Sequence, residues 1–326
     1  MNDKKVMLFA MPNVPRLGQA VANKLKISLT NIELTRFADG EVLLKSAQTV
    51  RNKDVFIIAS TCSPVNENLM ELLIFVDSLK RASSRSITVA LSYYGYARQD
   101  RKSQGREPIG AKLVADLLAK AGVTKIIAVD LHNPSIQGFF DLPVDDLRGQ
   151  YILGEYIKSQ SNDIIVVSPD HGGAVRARLL ADILNSSDEI AIVDKSRSPT
   201  PNHSFIRGIL GKVSGKDIVI IDDMIDTGGT IIQAADALKK AGAKKVLVAA
   251  THGIFSRGFD AFEQSETIDQ VVITDSIEKV FSFTSKKLKI VSLAEFISRA
   301  IEATYSSTSI TKIYREMRDK INENDY

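Results

Sequence analysis

The run from Ile218 to Thr230, IVIIDDMIDTGGT, passes from four apolar β-branched residues through three carboxylates, Asp222, Asp223 and Asp226, into a turn of threonines and glycines. A fully apolar run of this length reads as a strand buried on both faces, and the turn as the opening of a helix. Asp226, Thr227, Gly228, Gly229 and Thr230 supply two glycines for close backbone approach, two hydroxyls and the N–H groups of a helix start, which together suit an anion. It is not a Walker A loop: no G-x-x-x-x-G-K-[ST] occurs, and Gly211 to Lys216 is one residue short and lacks the hydroxyl. A plainer alternative is a turn in which Asp226 or Thr227 caps the helix. Carboxylates beside a phosphate repel it unless they have another task. The vicinal hydroxyls of a sugar provide one, because Asp222 and Asp223 can accept charge-assisted hydrogen bonds from them while the turn holds the phosphate.

Four further clusters carry chemistry-bearing residues. Asp130 and His132 stand two apart after an apolar run, which predicts one shared face and a magnesium or water-mediated ligand pair; Asp170 follows another run and can serve likewise. Arg98-Gln-Asp-Arg-Lys102, with Arg106 downstream and Tyr93, Tyr94 and Tyr96 upstream, reads as a solvated charge run or a nucleic-acid patch. Asp39-Gly40 between Phe37 and Glu41 reads as a hairpin turn. Residues 194–202, DKSRSPTPN, follow an apolar run and are rich in loop formers.

The elements that must position these groups are short β-branched runs at 55–58, 87–90, 126–129, 164–167, 190–193, 218–221 and 246–249. Helical spacing of apolar residues at 66–82, 108–121 and 230–241 alternates with them, which predicts an α/β protein with mainly parallel sheets flanked by helices. A shift of 120 places Ala115, Asp116, Leu118, Lys120, Ala121, Gly122, Lys125, His132, Gly138 and Phe139 on identical types from Ala235 to Phe259. This predicts a duplication and two similarly folded halves. The expected division is an N-terminal domain at 1–148, a C-terminal domain at 149–304, and a tail at 305–326 packing on the N-terminal domain.

At 326 residues, 44% hydrophobic and 25% charged, the chain has the make-up of a globular protein large enough for two cores. A net charge of +3 is a weak basis for nucleic-acid binding. The single Cys62 makes no intrachain disulfide and fits a small buried residue in a reducing cytoplasm. The apolar run at 6–11 ends at Pro12, is shorter than a signal-peptide core and reads as a first buried strand, so no membrane partner is expected.

Taken together, these blocks resemble the ribose-phosphate pyrophosphokinase family, whose members carry the phosphoribosyltransferase fold. The likeness rests on the 218–230 run and on Arg36-Phe-Ala-Asp-Gly-Glu41, Asn68-Leu-Met-Glu-Leu72, Gly95-Tyr-Ala-Arg-Gln-Asp-Arg101, Arg106-Glu-Pro108, Asp130-Leu-His132, Gln137-Gly-Phe-Phe140 and Ser168-Pro-Asp-His-Gly-Gly173. The resemblance implies pyrophosphoryl transfer from ATP to ribose 5-phosphate with Mg²⁺. It implies ATP contacts at Phe37, Asp39, Gly40, Glu41, Arg98 and Gln99, metal contacts at His132 and Asp170, and sugar-phosphate contacts at Asp222, Asp223, Asp226, Thr227, Gly228, Gly229 and Thr230. Lys195 and Arg197 match catalytic cations of a loop that closes over ATP, Arg197 also touching the sugar phosphate. A homohexamer sharing its ATP site between subunits, with phosphate activation and ADP inhibition, is implied as well.

Departures from the family pattern are Ser196 in place of Arg, Ala10-Met-Pro12, Ala59, and Ser309-Ile-Thr-Lys-Ile-Tyr314 in the tail. None removes an expected catalytic group. Three rival readings are a phosphoribosyltransferase sharing the sugar-phosphate loop, a non-catalytic paralogue and a nucleic-acid binder; Phe37 to Glu41 with Arg98 and Gln99 argue against the first, and Lys195, Arg197, His132 and Asp170 against the second.

Overall fold

The computed structural model describes residues 5–161, 163–186, 189–197 and 204–323, with backbone alone at 196, 197, 204, 205 and 323. The chain divides into two compact units. The first holds the chain up to Arg148 together with Ser276–Glu278 and Leu293–Ile310; the second holds Gly149–Asp275, Lys279–Ser292 and the chain from Thr311.

The first unit begins with β1 (Val6–Ala10), α1 (Pro15–Leu25), β2 (Ile32–Arg36), β3 (Val42–Ser46), β4 (Asp54–Ser60), α2 (Val65–Arg81), β5 (Ser86–Tyr93), α3 (Gly110–Ala121), β6 (Lys125–Val129) and β7 (Val144–Leu147). The second supplies α4 (Gln150–Lys158), β8 (Ile164–Ser168), α5 (Ala174–Leu184), β9 (Ala191–Arg197), β10 (Ser204–Leu210), β11 (Asp217–Ile225), α6 (Gly229–Lys240), β12 (Lys245–Gly253), α7 (Asp260–Gln264), β13 (Gln270–Thr274) and β14 (Leu288–Val291). The chain then returns to the first unit as α8 (Ala294–Ser306) and to the second as α9 (Ile310–Glu323).

In the first unit β1-β4-β5-β6-β7 form a wholly parallel sheet, with β2 and β3 pairing beside it as an antiparallel hairpin. α2 shows why helices cover such a sheet: Leu69, Leu72, Phe75, Val76 and Leu79 recur at three- and four-residue spacing and are buried. In the second unit the order is β10-β9-β8-β11-β12-β13-β14, parallel except for the β9–β10 pair. Alternate residues of its strands enter two cores. Ile218 and Ile220 pack with Ile231, Ala234 and Leu238 of α6; Val219 and Ile221 pack with Leu153 of α4 and Leu180 of α5. Both faces being covered, the strands have no polar side to show, so their apolar residues run without alternation.

Several expectations need correction. β7 joins the first sheet through Val144-Asp-Asp-Leu147, a strand missing from the apolar runs because two of its four residues are acidic. Parallel pairing with β6 supplies the order its composition does not announce. β11 continues four residues past Ile221, so Asp222 and Asp223 lie within a strand. Of residues 194–202, 194–197 belong to β9 and pair with β10, while 198–202 lie outside the described residues. β6 ends at Val129 and Asp130 adopts φ 46, so strand alternation does not place Asp130 and His132 on one face.

The tail is corrected too. α9 groups with the second unit, not the N-terminal one, because Tyr314 stacks on Tyr151 with ring centroids 4.8 Å apart and Lys320 pairs with Glu155 at 2.6 Å. Ile313, Met317 and Ile321 bury the intervening face. Under the shift of 120, α3 and β6 fall on α6 and β12, and Gly122 and Gly242 both take positive φ, 128 and 92. His252, the counterpart of His132, is a buried strand residue.

Candidate active site

Within the second sheet the chain runs from β8 outward to β9 and β10, then returns to pair β11 on the other side of β8. Strand order thus reverses between β8 and β11, and loops leaving their carboxyl ends part to form a crevice where ligands collect. Into it lead Asp170 and His171 after β8, Asp194 and Lys195 on β9, and the 226–230 turn after β11.

The turn answers the capping question. α6 begins at Gly229 with Gly228 in the cap position at φ 81, so neither Asp226 nor Thr227 occupies that position. A Cβ on Gly228 would lie 2.5 Å from the Phe262 ring, so this position needs glycine for both conformation and space. Ile232 N–H donates to Gly228 O at 2.9 Å; the N–H groups of Gly229, Thr230 and Ile231 precede that ladder and are available to an anion.

Asp222 and Asp223 lie among the last four residues of β11, where successive side chains leave on opposite faces. One guanidinium from the first turn of α5 nonetheless reaches both. Arg176 Nη1 lies 3.1 Å from Asp222 Oδ1, and Nη2 lies 3.5 Å from Asp223 Oδ1. The Asp223 N–H also donates to Asp222 Oδ1 at 2.9 Å. Burial pushes the Asp222 carboxyl up to about 7, the neighbouring Asp223 charge adds to this, and Arg176 opposes it. The Asp222 side chain is still 25% exposed, against 4% for Asp223, so a ligand can reach the pair from the Asp222 side.

Lys195 Nζ donates to Thr230 O at 3.1 Å, which brings the cation of β9 onto the turn at the start of α6. Burial lowers its pKa, with the charges of Asp170 and Asp222 pulling the other way. His171 Nε2 lies 3.0 Å from Asp194 Oδ1, joining the loop after β8 to the strand that carries Lys195. Asp170 Oδ1 accepts from Gly173 N–H at 3.0 Å. The second unit therefore assembles Asp170, Lys195, Asp222, Asp223 and the 226–230 turn; Arg197 lies in β9 with its side chain outside the described residues.

The first unit carries a separate group. Phe37, Asp39, Gly40 and Glu41 form the turn between β2 and β3, closed by Phe37 N–H to Glu41 O at 2.8 Å and Gly40 N–H to Phe37 O at 3.0 Å. Gly40 takes φ 94, and Phe37 is 48% exposed, an aromatic face offered to solvent. Arg36, at the end of β2, is held by the buried Glu71 at 2.5 Å. Arg98 and Gln99 are exposed after β5, while Asn133 Nδ2 donates to Asp100 Oδ2 at 2.7 Å and ties that loop to the one bearing His132. Tyr93 and Tyr94 are buried, and the Tyr94 hydroxyl donates to Ala111 O at 2.7 Å. Neither of these two rings offers a base a stacking face, and the half-buried Tyr96 donates its hydroxyl to Asn66 Oδ1.

A glycine turn open to an anion, two adjacent acids and a cation thus meet in one crevice. Residues 6–122 match the N-terminal domain of ribose phosphate pyrophosphokinase, and 165–315 match the phosphoribosyl synthetase-associated domain. The chain is 55% identical over 315 residues to the ribose-phosphate pyrophosphokinase of Mycoplasmopsis pulmonis (strain UAB CTIP), covering 96% of this chain and 98% of that one. It is 45% identical over 313 residues to the ribose-phosphate pyrophosphokinase of Bacillus subtilis (strain 168), covering 96% and 98%. The chain belongs to the ribose-phosphate pyrophosphokinase family. It is also similar to the crystal structure of phosphoribosylpyrophosphate synthetase from Mycobacterium smegmatis, with a TM-score of 0.86, 39% identity, and coverage of 93% of this chain and 99% of that one.

As a member of this family the chain is an enzyme of α/β architecture. Sequence reasoning missed Arg176, which binds both acids. Its signal was present in Ser168-Pro-Asp-His-Gly-Gly173-Ala-Val-Arg176, where a cation stands in the first turn of a helix, the end at which a positive charge is least favoured. Among the described residues no helix is long and apolar enough to cross a membrane.

Proposed function

We propose that the protein transfers the β,γ-diphosphoryl group of ATP to the anomeric hydroxyl of ribose 5-phosphate, giving 5-phosphoribosyl 1-pyrophosphate and AMP for nucleotide biosynthesis. The observation that carries this reading is the convergence of Lys195, the paired Asp222 and Asp223, and the glycine turn of α6 in one crevice. The 5-phosphate binds the backbone N–H groups of 227–230, with Asp226 shaping the turn. Asp222 and Asp223 accept from the ring hydroxyls. The anomeric oxygen attacks the β-phosphorus and gives up its proton to solvent, the bond from that phosphorus to the oxygen bridging the α-phosphate breaks, and AMP leaves with the electron pair. Lys195 and Arg197 stabilise the charge spread over the transferring group; one well-placed cation is worth about 3 kcal/mol in such a transition state.

The adenine stacks on Phe37 and donates to Asp39 and Glu41 at the Gly40 turn, while Arg98 and Gln99 meet the polyphosphate; the exposure of all five side chains supports this. Mg²⁺ fits the donor set as a substrate-borne ion. Among the described residues no three His, Cys, Asp or Glu side chains gather as a cage; the exposed Asp170 carboxylate of the second unit, and separately the His132 imidazole of the first acting through water, each suit an ion that brings phosphate oxygens and waters of its own. When bound, the ion draws negative charge from the triphosphate.

The same reading makes the protein a cytoplasmic homohexamer with ATP sites shared between subunits, and open to phosphate activation and ADP inhibition. Exposed Met70 on α2 with Leu113 and Leu117 on the neighbouring α3 support assembly. Two similar halves that arose by duplication account for the matching elements under the shift of 120. The test is incubation with ribose 5-phosphate and Mg-ATP, with and without a free nucleobase. AMP release independent of the base is expected. ADP in place of AMP, or a strict need for the base, contradicts the reading.

A further inference from the structure

We infer that Arg176 is a positioning residue for the reaction, its guanidinium holding Asp222 and Asp223 as a matched pair of acceptors for two vicinal hydroxyls. This rests on the proposed assignment of the pair to the ribose ring.

Three observations on different levels carry it. The first is geometric: one planar fork spans both carboxylates, at 3.1 Å from Asp222 and 3.5 Å from Asp223, where strand alternation alone would part them. The second concerns the helix. Arg176 is the third residue of α5, whose first turn contains no acid of its own, so the cation faces the positive end of the helix dipole. Packing would be served as well by a neutral side chain; the arrangement makes sense only if the acids beyond the helix need the charge. The third is burial: Arg176 is 17% exposed and Asp223 4%, so the ion pair is shielded from solvent.

Charges facing Asp222 are Asp223 beside it, Arg176 from α5, and Lys195 from β9, which in turn faces Asp170. Burial and Asp223 favour a proton on Asp222, and Arg176 is the group that opposes it. Without Arg176 the pair holds its proton to higher pH and so loses an acceptor, and the fork that spans both carboxylates is gone. Lysine in its place restores charge without the fork, so it restores ionisation better than alignment.

The experiment uses full-length Arg176→Met and Arg176→Lys beside the wild type, with KM for ribose 5-phosphate and for ATP measured from about pH 6 to about pH 9, and ribose 5-phosphate binding followed by calorimetry. Arg176→Met is expected to raise KM for the sugar phosphate about tenfold or more near neutrality, leave KM for ATP within about twofold, and recover as the pH rises and the pair ionises. Arg176→Lys is expected to fall between. Thermal melting establishes folding, and if the Met variant fails to fold, Arg176→Gln, also neutral, takes its place with the same expected alkaline recovery. A folded neutral variant with wild-type KM for ribose 5-phosphate, or with a deficit equal at every pH, overturns the inference. Asp222→Asn and Asp223→Asn separate the two levels. If they raise KM for the sugar phosphate while the Arg176 variants do not, the inference fails alone; if they leave it unchanged, the assignment of the acids fails and takes the inference with it.

Discussion

Asp222 illustrates how one residue can serve a site at a cost to stability. Its carboxyl titrates near 7 in the fold and near 3.8 as a free side chain, so the unfolded chain releases the proton first as pH rises. Stability is lost from about pH 4 upward and the loss is complete above about pH 7. Asp222→Asn is therefore expected to raise Tm at pH 8 and to change it little near pH 4, while weakening ribose 5-phosphate binding; calorimetric melts at both pH values check it. Lys195 has the opposite emphasis. Its contact with Thr230 O joins a cation to the turn at the start of α6, and Lys195→Ala should depress kcat about a hundredfold while shifting KM for ATP far less. A variant with near-normal AMP release would remove Lys195 from the catalytic machinery. At this scale the types and order of the acids and the glycines were legible in the sequence. Arg176 was not, because its relation to Asp222 and Asp223 spans 46 and 47 positions and exists only once α5 docks on β11.

At the scale of elements, the apolar runs announced the strands because parallel sheets covered on both faces leave no alternation to blur them. Ends were harder to read. β11 carries its pairing through Asp222 to Ile225 because β12 continues alongside, Met224 facing His252, and neighbouring backbone overrides the local change in composition. β7 stayed hidden for the same reason. The turn into α6 depends on Gly228, so Gly228→Ala forces a left-handed alanine against Phe262, at about 1–3 kcal/mol. The expected result is a Tm lower by about 5 °C and weaker ribose 5-phosphate binding with KM for ATP retained, read by melting and by separate titrations. The β2–β3 turn supplies a contrast. Phe37 is half exposed, so Phe37→Ala should raise KM for ATP about tenfold with little loss of Tm.

At the scale of the whole molecule, the chain crosses between its units more than once, giving α8 to the first and α9 to the second. Composition does not reveal this. Both helices are amphipathic, and only the particular partners, Lys24 with Glu295 in one unit and Tyr151 with Tyr314 in the other, decide where each belongs. Truncation after residue 309 removes the buried Ile313, Met317 and Ile321 and exposes the faces of α4 and α5 beneath them. Each such side chain is worth about 1.5–3 kcal/mol when buried, so a lower-melting transition and loss of ribose 5-phosphate affinity are expected in calorimetry.

The central claim, that the sugar oxygen attacks the β-phosphorus of ATP, is tested most directly by following ribose 5-phosphate freshly labelled with ¹⁸O at the anomeric hydroxyl. The account predicts that the label is kept in the bridge between C1 and the diphosphate and that AMP carries none. Label lost from that bridge, or found in AMP, would contradict it.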